Sequence, residues 1–148
     1  MLINAVFVPT LTYQCQTWTL NKALEQKVTS CEMRCLRRAA GKTRLDRVRN
    51  EDIRKTVGVP PITHHIERQC IKWFGHLTRM PVSQPALRAY TMRFSGFRAR
   101  GRPRRRWSDS VADTLRAHNM SVLQAHRLAA DHQLHLPVTP SCRSGRQK

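Results

Sequence analysis

The chain has 148 residues and a formal net charge of +18, from 27 Lys and Arg against nine Asp and Glu. This length holds one domain of ordinary size or a small domain with tails, and 40% apolar residues argue against a fully disordered chain. So much positive charge repels itself in solution, so we expect a polyanionic partner rather than the small substrate of a metabolic enzyme.

The first half of the chain predicts a helix after an ambiguous opening. Residues 5–20 are apolar and β-branched, and their periodicity fits either a strand or a short helix. Asn21 can cap a helix that ends at Gly41, since glycine often follows a helix C-cap. The apolar face predicted for this helix consists of Leu24, Val28, Cys31, Cys35, Leu36 and Ala39.

Two further helices follow before residue 81. Asn50 is expected to cap a short helix that ends before Gly58. A longer helix is predicted from Ile62 to a stop at Pro81. Its predicted apolar face consists of Ile62, Ile66, Cys70, Trp73 and Leu77.

The positive charge is carried mainly by arginine and is unevenly placed. Twenty-one Arg stand against six Lys, and the guanidinium group suits phosphate better than an ammonium does. No acid occurs between residues 68 and 108, and six arginines fall in the nine positions 98–106. Because glycine and proline interrupt residues 85–103, we expect an extended or loosely ordered segment there. One-signed charge at this density favours nucleic acid over a membrane surface.

A helix is predicted after this basic segment. Ser108 or Asp109 should begin it, Val111 and Leu115 should face its core, and Trp107 should pack just before it. These positions are typical of a short amphipathic helix.

The C-terminal part predicts one more helix and a tail. Ser121 with Gln124 is a capping-box pattern for a helix over residues 122–134, and residues 137–148 are polar. The predicted fold class is therefore all-α: a small helical bundle with an Arg-rich extended connector and a disordered C-terminal tail. The predicted regions are a thumb-like helical region 1–80, a basic connector 81–107, C-terminal helices 108–135 and the tail 136–148.

The sequence shows little sign of a catalytic or metal centre. Its nine acids are scattered, whereas a polymerase or nuclease needs clustered carboxylates to hold divalent metal ions. No phosphate-binding glycine loop and no paired nucleophile occur. Cys31 and Cys35 lie in the apolar stripe, which favours buried structural cysteines over zinc ligands. We predict no enzyme activity for the chain on its own, no metal, no cofactor and no small-molecule substrate.

Five cysteines without disulfide spacing favour a reduced, intracellular protein. The sequence shows no signal peptide and no apolar run near the ~20 residues that span a bilayer. With a nucleic-acid partner, the expected location is the nucleus.

One short motif has a known mechanism. Arg100-Gly101-Arg102-Pro103 matches the core of the AT-hook, an element that lies in an A·T-rich minor groove. Glycine lets the backbone approach the groove, and its negative potential attracts arginine. The alternative is a Gly-Pro turn whose arginines contact phosphates without sequence preference.

Six motifs follow one another from about Pro9 to Asp131. They are Pro9-x-Leu11-x-Tyr13 with Thr17-Trp18-Thr19-Leu20, Glu32-Met33-Arg34-Cys35-Leu36-Arg37-Arg38, Arg44-x-Asp46-Arg47-Val48-Arg49-Asn50-Glu51, Trp73-Phe74-Gly75-His76-Leu77-x-Arg79-Met80, Gly101-Arg102-Pro103-x-x-Arg106-Trp107-x-Asp109 and Leu128-Ala129-x-Asp131. Together they resemble the stretch just past the polymerase core of non-LTR (LINE-type) retrotransposon reverse transcriptases. That family has Gly and Glu where this chain has Gln14 and Gln16, and Arg where it has His132.

The resemblance implies a C-terminal piece of such an element protein: the thumb and the region beyond it, without the palm or the endonuclease. It implies a role in target-primed reverse transcription, with a grip on RNA–DNA hybrid, RNA or duplex DNA and a polymerase core supplied by another chain. The expected nucleic-acid-binding residues are Arg34, Arg37, Arg38, Lys42, Arg44, Arg47, Arg79, Arg98, Arg100, Arg102, Arg104, Arg105 and Arg106.

Other motif residues leave two roles open. Gly75 and His76 fit either a functional pair or close helix packing with a hydrogen bond to a loop. Trp18, Trp73 and Trp107 fit either base stacking or core packing. Gly101 and Pro103 belong to the AT-hook pattern. Two further interpretations stay open: an independent AT-hook-like DNA-binding protein, and a non-functional degenerate remnant.

Overall fold

A computed structural model describes residues 3–92, 100–101, 104–131 and 134. Its regular elements in these ranges are all helical, which confirms the predicted all-α class. None of the described helices is long and apolar enough to cross a bilayer. The predictions that lie outside the described residues are those for Arg98, Arg102, Pro103, His132 and the tail 136–148.

The chain divides into two compact units, Met1–Ile66 (the first unit) and Glu67–Lys148 (the second unit). The sequence-based division at residues 80, 107 and 135 stays a prediction. The elements of the first unit are a π-helical turn Ile3–Phe7, α1 Val8–Leu11, a 3₁₀ turn Cys15–Thr17, α2 Lys22–Ala39, α3 Asn50–Val57 and the first turn of α4 Ile62–Thr78. Those of the second unit are the remainder of α4, α5 Pro85–Thr91, α6 Trp107–Ala117 and α7 Val122–Ala130.

The ends of α2 form as the sequence predicts. The Asn21 side chain accepts a hydrogen bond from the Leu24 backbone N–H at 2.9 Å, so it caps one of the unpaired donors of the first turn. At the other end Gly41 has a φ of +64°, a left-handed conformation that glycine adopts without steric cost.

The buried face of α2 differs from the predicted apolar stripe. Glu32, Met33 and Leu36 are buried, whereas Leu24 is 40% exposed and Cys31 is exposed. Met33 and Leu36 pack into a core cluster shared with α3. The predicted buried face is rotated around the helix from the observed one. The reason is that the prediction counted only apolar side chains, whereas the inward face of this helix includes a carboxylate. The prediction of a buried Cys31 is wrong for the same reason.

The opening segment and α3 complete the first core. Ile3 is buried there, and Phe7 and Val8 pack against it, which settles the opening segment as helical. The helix α3 begins at Asn50 itself, with Arg49 in the capping position, so the prediction of Asn50 as the cap was wrong by one residue. Gly58 ends α3 at a φ of +70°, as predicted.

The core of the second unit is built from α4, α6 and α7. Its buried members are Ile71, Phe74, Val111, Leu115, Ala125, Ala129 and Leu134. Val111 and Leu115 face inward as predicted. On α4 the buried sector is wider than expected, because Ile71 and Phe74 belong to it while Trp73 is half-buried. A core packed from two other helices covers more of α4 than one stripe.

The basic segment contains a helix that the sequence did not predict. Residues 85–91 form α5, where an extended or loosely ordered segment was expected. Pro85 is compatible with this helix because it occupies the first turn, where its fixed φ and missing N–H cost nothing. Helix α6 begins at Trp107 rather than Ser108 or Asp109. The Asp109 carboxylate closes that first turn by accepting from the Arg106 backbone N–H at 2.9 Å.

The last helix shows the predicted capping box. The Ser121 hydroxyl accepts from the Gln124 backbone N–H at 3.2 Å, and the Gln124 side chain accepts from the Ser121 N–H at 2.9 Å. Helix α7 ends at Ala130, four residues earlier than expected.

Candidate nucleic-acid interface

A cavity of about 520 Å³ lies in the first unit, along α2 and the loop that follows it. We call it the basic cavity. Five cationic side chains line it, and none of the described residues that line it is an acid. The five are Arg34, Arg37, Arg38, Lys42 and Arg44. All five are expected phosphate-binding residues. The sequence showed only that they are close along the chain, and the fold places them on one concave surface.

Arg37 is the fixed member of this group. One of its Nη atoms donates to the Val48 carbonyl at 2.9 Å and to the Asn50 side-chain oxygen at 2.8 Å. Both acceptors are neutral, and the other Nη is buried without a hydrogen-bond partner. Arg37 therefore ties the loop before α3 to α2, and its positive charge lies beside the cavity in no ion pair among the described residues.

The other four cations are free to turn toward a ligand. Arg34, Arg38, Lys42 and Arg44 are exposed, and no ion pair that the structure shows within the described ranges includes them. Long cationic side chains in this state bind phosphate oxygens without first breaking an internal bond.

Asp46 shapes the loop that carries two of these cations. Its carboxylate accepts hydrogen bonds from the Thr43 backbone N–H at 2.6 Å and from the Thr43 hydroxyl at 3.2 Å. These bonds lower the pKa of the Asp46 carboxyl, and the charges of Lys42 and Arg37 lower it further. The loop is thus held by an acid that is ionised at neutral pH.

Glu32 is a structural residue that sequence reasoning missed. It is 2% exposed, and its carboxylate accepts from Arg54 Nη2 at 2.7 Å and from the Ile62 backbone N–H at 2.9 Å. It joins α2 to α3 and to the start of α4. The sequence held only a weak signal, because Glu32 is one of two acids on α2 and lies two positions before Arg34, which lines the basic cavity.

Arg47 lies apart from the other five expected contacts of this region. It is exposed and has a φ of +49°, and it is not among the residues that line the basic cavity. Its backbone N–H donates to the Arg44 carbonyl at 3.4 Å, but its side chain does not line the cavity as that of Arg44 does.

Two of the expected arginines of the second unit have partners in the fold. Arg79 Nη1 donates to the Ala129 carbonyl near the end of α7 at 2.8 Å. Arg105 bonds the Asp113 carboxylate at 2.8 Å and the Ser110 hydroxyl at 3.1 Å. These two expected nucleic-acid contacts thus also hold helix ends.

The rest of the basic connector is described only in part. Arg100 and Gly101 are exposed, and Gly101 has a φ of +116°, a conformation that favours glycine. Arg104 and Arg106 are exposed as well. Two of the four residues of the AT-hook pattern therefore lie within the described ranges, and they form a bend.

The aromatic and glycine motif residues sit on the second core or its edge. Trp107 is half-buried, and its ring meets that of Tyr90 edge-to-face at 6.0 Å. The rings of Trp73 and His76 are 5.4 Å apart, with His76 exposed. Gly75 is buried, and a Cβ built on it would meet Arg79 Nη1 and Leu134 Cδ2 at 3.5 Å, which is ordinary contact.

The described part of the chain holds no group of three His, Cys, Asp or Glu side chains arranged for a metal ion. Cys31 is exposed and Cys35 half-buried on α2.

Comparison with known proteins indicates the origin of the chain in general terms. The chain is 29% identical to an uncharacterized transposon-derived protein of Caenorhabditis elegans over 115 aligned residues, which cover 74% of this chain and 41% of that protein. The match thus spans less than half of that relative's length. No protein-family model and no solved structure matches the chain. The similarity indicates a transposon origin.

Proposed function

We propose that the chain is a nucleic-acid-binding C-terminal fragment of a LINE-type retrotransposon reverse transcriptase, without catalytic residues of its own. It grips the phosphate backbone of template–primer, element RNA or target DNA, and the polymerase core comes from another chain. The transposon-derived relative and the six ordered motifs support the origin. The nuclear location and the absence of catalysis by the chain alone belong to the same proposal.

The observation that carries the binding role is the basic cavity. Five cations meet there on one concave surface, and four of them are exposed and outside the ion pairs of the described residues. A cleft lined by charge of one sign concentrates its field and attracts a polyanion. Arginine is also the side chain best suited to phosphate oxygens.

The experiment is a salt-series titration of the full chain with RNA–DNA hybrid, duplex DNA with and without A·T tracts, and single-stranded RNA. If roughly six to eight phosphates are neutralised, log affinity falls with log salt at a slope of about −5 to −7 on duplex DNA. Replacing Arg34, Arg38, Lys42 and Arg44 by Ala should reduce that slope by up to about four.

The outcome separates the interpretations. Tightest binding to hybrid or structured RNA supports the reverse-transcriptase fragment. A preference for A·T tracts that Arg102→Ala abolishes favours the AT-hook protein instead. An unchanged slope in the four-residue variant removes the basic cavity from the interface. A chain with little helix that binds all polyanions alike identifies a non-functional remnant, and DNA synthesis by the isolated chain contradicts the assignment as non-catalytic.

A further inference from the structure

We infer that the basic cavity is a discrete phosphate pocket, which takes one nucleotide phosphate group with a defined stoichiometry instead of acting as part of a diffuse charged surface. Its ligand class depends on the proposed function, whereas its capacity to bind an anion does not. The ligand chemistry is a phosphate on a nucleotide, either the internal phosphodiester of a strand or the terminal phosphate of a strand end.

The first argument is an excess of positive charge in a concave space. Five cationic side chains line one cavity, and the acid that influences two of them, Asp46, already accepts two hydrogen bonds from Thr43. Like charges that line one cavity repel one another, and an anion in the cavity offsets that repulsion. A flat basic surface relaxes the same repulsion by spreading its side chains into water, which the cavity geometry prevents for Arg37.

The second argument is preorganisation. Arg37 is held by the Val48 carbonyl and the Asn50 amide, so its position does not depend on the ligand. Both acceptors are neutral, so the charge of Arg37 adds to the positive field in the cavity although its other Nη is buried. The loop bearing Lys42 and Arg44 is set by the bonds between Asp46 and Thr43. A site built in advance loses less entropy on binding than one assembled around its ligand.

The third argument is size. A volume of about 520 Å³ falls within the range of small-molecule sites, roughly 300–1,000 Å³, and exceeds what a bare phosphate needs. The cavity therefore has room for a nucleotide around the phosphate.

The test uses the full chain and two double variants of equal charge. Arg34→Ala/Arg38→Ala removes two cations that line the cavity, and Lys22→Ala/Lys27→Ala removes two exposed cations of the same helix that do not. Isothermal titration with inorganic phosphate, and with one short oligonucleotide carrying either a 5′-phosphate or a 5′-hydroxyl, measures affinity and stoichiometry. Circular dichroism of each variant checks the helix content.

We expect saturable 1:1 binding that weakens at least tenfold in Arg34→Ala/Arg38→Ala and less than twofold in the lysine variant. Lys42→Ala/Arg44→Ala, on the loop, should reproduce the loss and covers the case in which the helix variant unfolds. Preference for the 5′-phosphate assigns the pocket to a strand end, and equal affinity assigns it to the internal backbone. Equal weakening by the helix and lysine variants, or binding without a defined stoichiometry, overturns the pocket.

The two proposals can fail separately. Tight hybrid binding by the full chain with no 1:1 phosphate site rejects the pocket and leaves the proposed function standing. A 1:1 phosphate site in a chain that binds no long nucleic acid rejects the proposed function and leaves the pocket standing.

Discussion

Three arginines of the first unit and two of the second differ in whether the fold supplies them with a partner. Around the basic cavity of the first unit, Arg34, Arg38 and Arg44 are exposed and belong to no ion pair among the described residues. In the second unit, Arg79 and Arg105 donate to a carbonyl and to a carboxylate of the fold. The density of arginine in the sequence therefore does not show which side chains the fold already engages. In the proposed interface, these exposed arginines combine a concave setting with the absence of an ion pair among the described residues.

The largest expected effect tests how the first unit is held together. Glu32→Ala leaves Arg54 and the Ile62 N–H without their carboxylate, and breaking one side of a buried ion pair costs about 3–5 kcal/mol. That approaches the whole stability of a small domain. We expect the first unit to lose its cooperative unfolding transition in urea, and circular dichroism is the measurement that shows this.

The matched control for this change is Glu25→Ala. Glu25 lies in the first turn of the same helix and accepts no hydrogen bond that the structure shows, so its loss should cost less than about 1 kcal/mol. Equal destabilisation by both variants would mean that Glu32 acts through general charge balance and not through its two bonds.

The second prediction concerns Arg79, in the second unit. Arg79→Ala removes the donor to the Ala129 carbonyl, and a hydrogen bond from a charged group contributes about 1.5–3 kcal/mol. Thermal unfolding should show a lower midpoint, while the salt dependence of nucleic-acid binding changes little. The exposed Arg88 on α5 is the control. A reduced salt slope with unchanged stability would place Arg79 among the phosphate contacts and narrow the difference between the units.

The sequence predicted the helices better than their faces. Asn21, Gly41, Gly58 and the Ser121–Gln124 box are local signals whose physics does not depend on the rest of the chain, and each appears where it was expected. The face of α2 could not be found in this way, because burial of a charge depends on partners that lie 22 and 30 positions away.

The second of the six motifs combines side chains that are bonded within the fold with side chains that are exposed. Glu32 and Arg37 bind other parts of the fold, whereas Arg34 and Arg38, in the same motif, are exposed beside the basic cavity. The sequence motif does not show which of the four side chains are bonded within the fold and which are exposed, since all four are charged. Gln14 illustrates the converse, because it has a φ of +58° at the position where the resembled motif has glycine. Backbone conformation explains that motif position without any ligand.

A smaller effect is expected from Gly75→Ala in the second unit. The added Cβ meets Arg79 Nη1 and Leu134 Cδ2 at ordinary contact distance, and alanine is favoured over glycine inside a helix by about 0.8–1 kcal/mol. Urea unfolding should show a stability gain of about 0.5–1 kcal/mol. Loss of stability would mean that close packing requires glycine here. A gain in stability with weaker nucleic-acid binding would give the Gly75-His76 pair a functional role instead.

The smallest expected effect returns to the first unit and to the loop beside the basic cavity. Hydrogen bonds from Thr43, with the charges of Lys42 and Arg37, hold the pKa of Asp46 below its usual value of about 3.9. A carboxyl with a lowered folded-state pKa contributes stability above its unfolded-state pKa, and that contribution is lost as the pH falls through the folded-state pKa. The Thr43 amide resonance in NMR should therefore shift with a midpoint below pH 3.9, and this step should be missing in Asp46→Asn. A midpoint at or above that value would show that the loop is not held by this carboxylate, and the basic cavity would lose the fixed wall that sets it apart from the exposed arginines of the second unit.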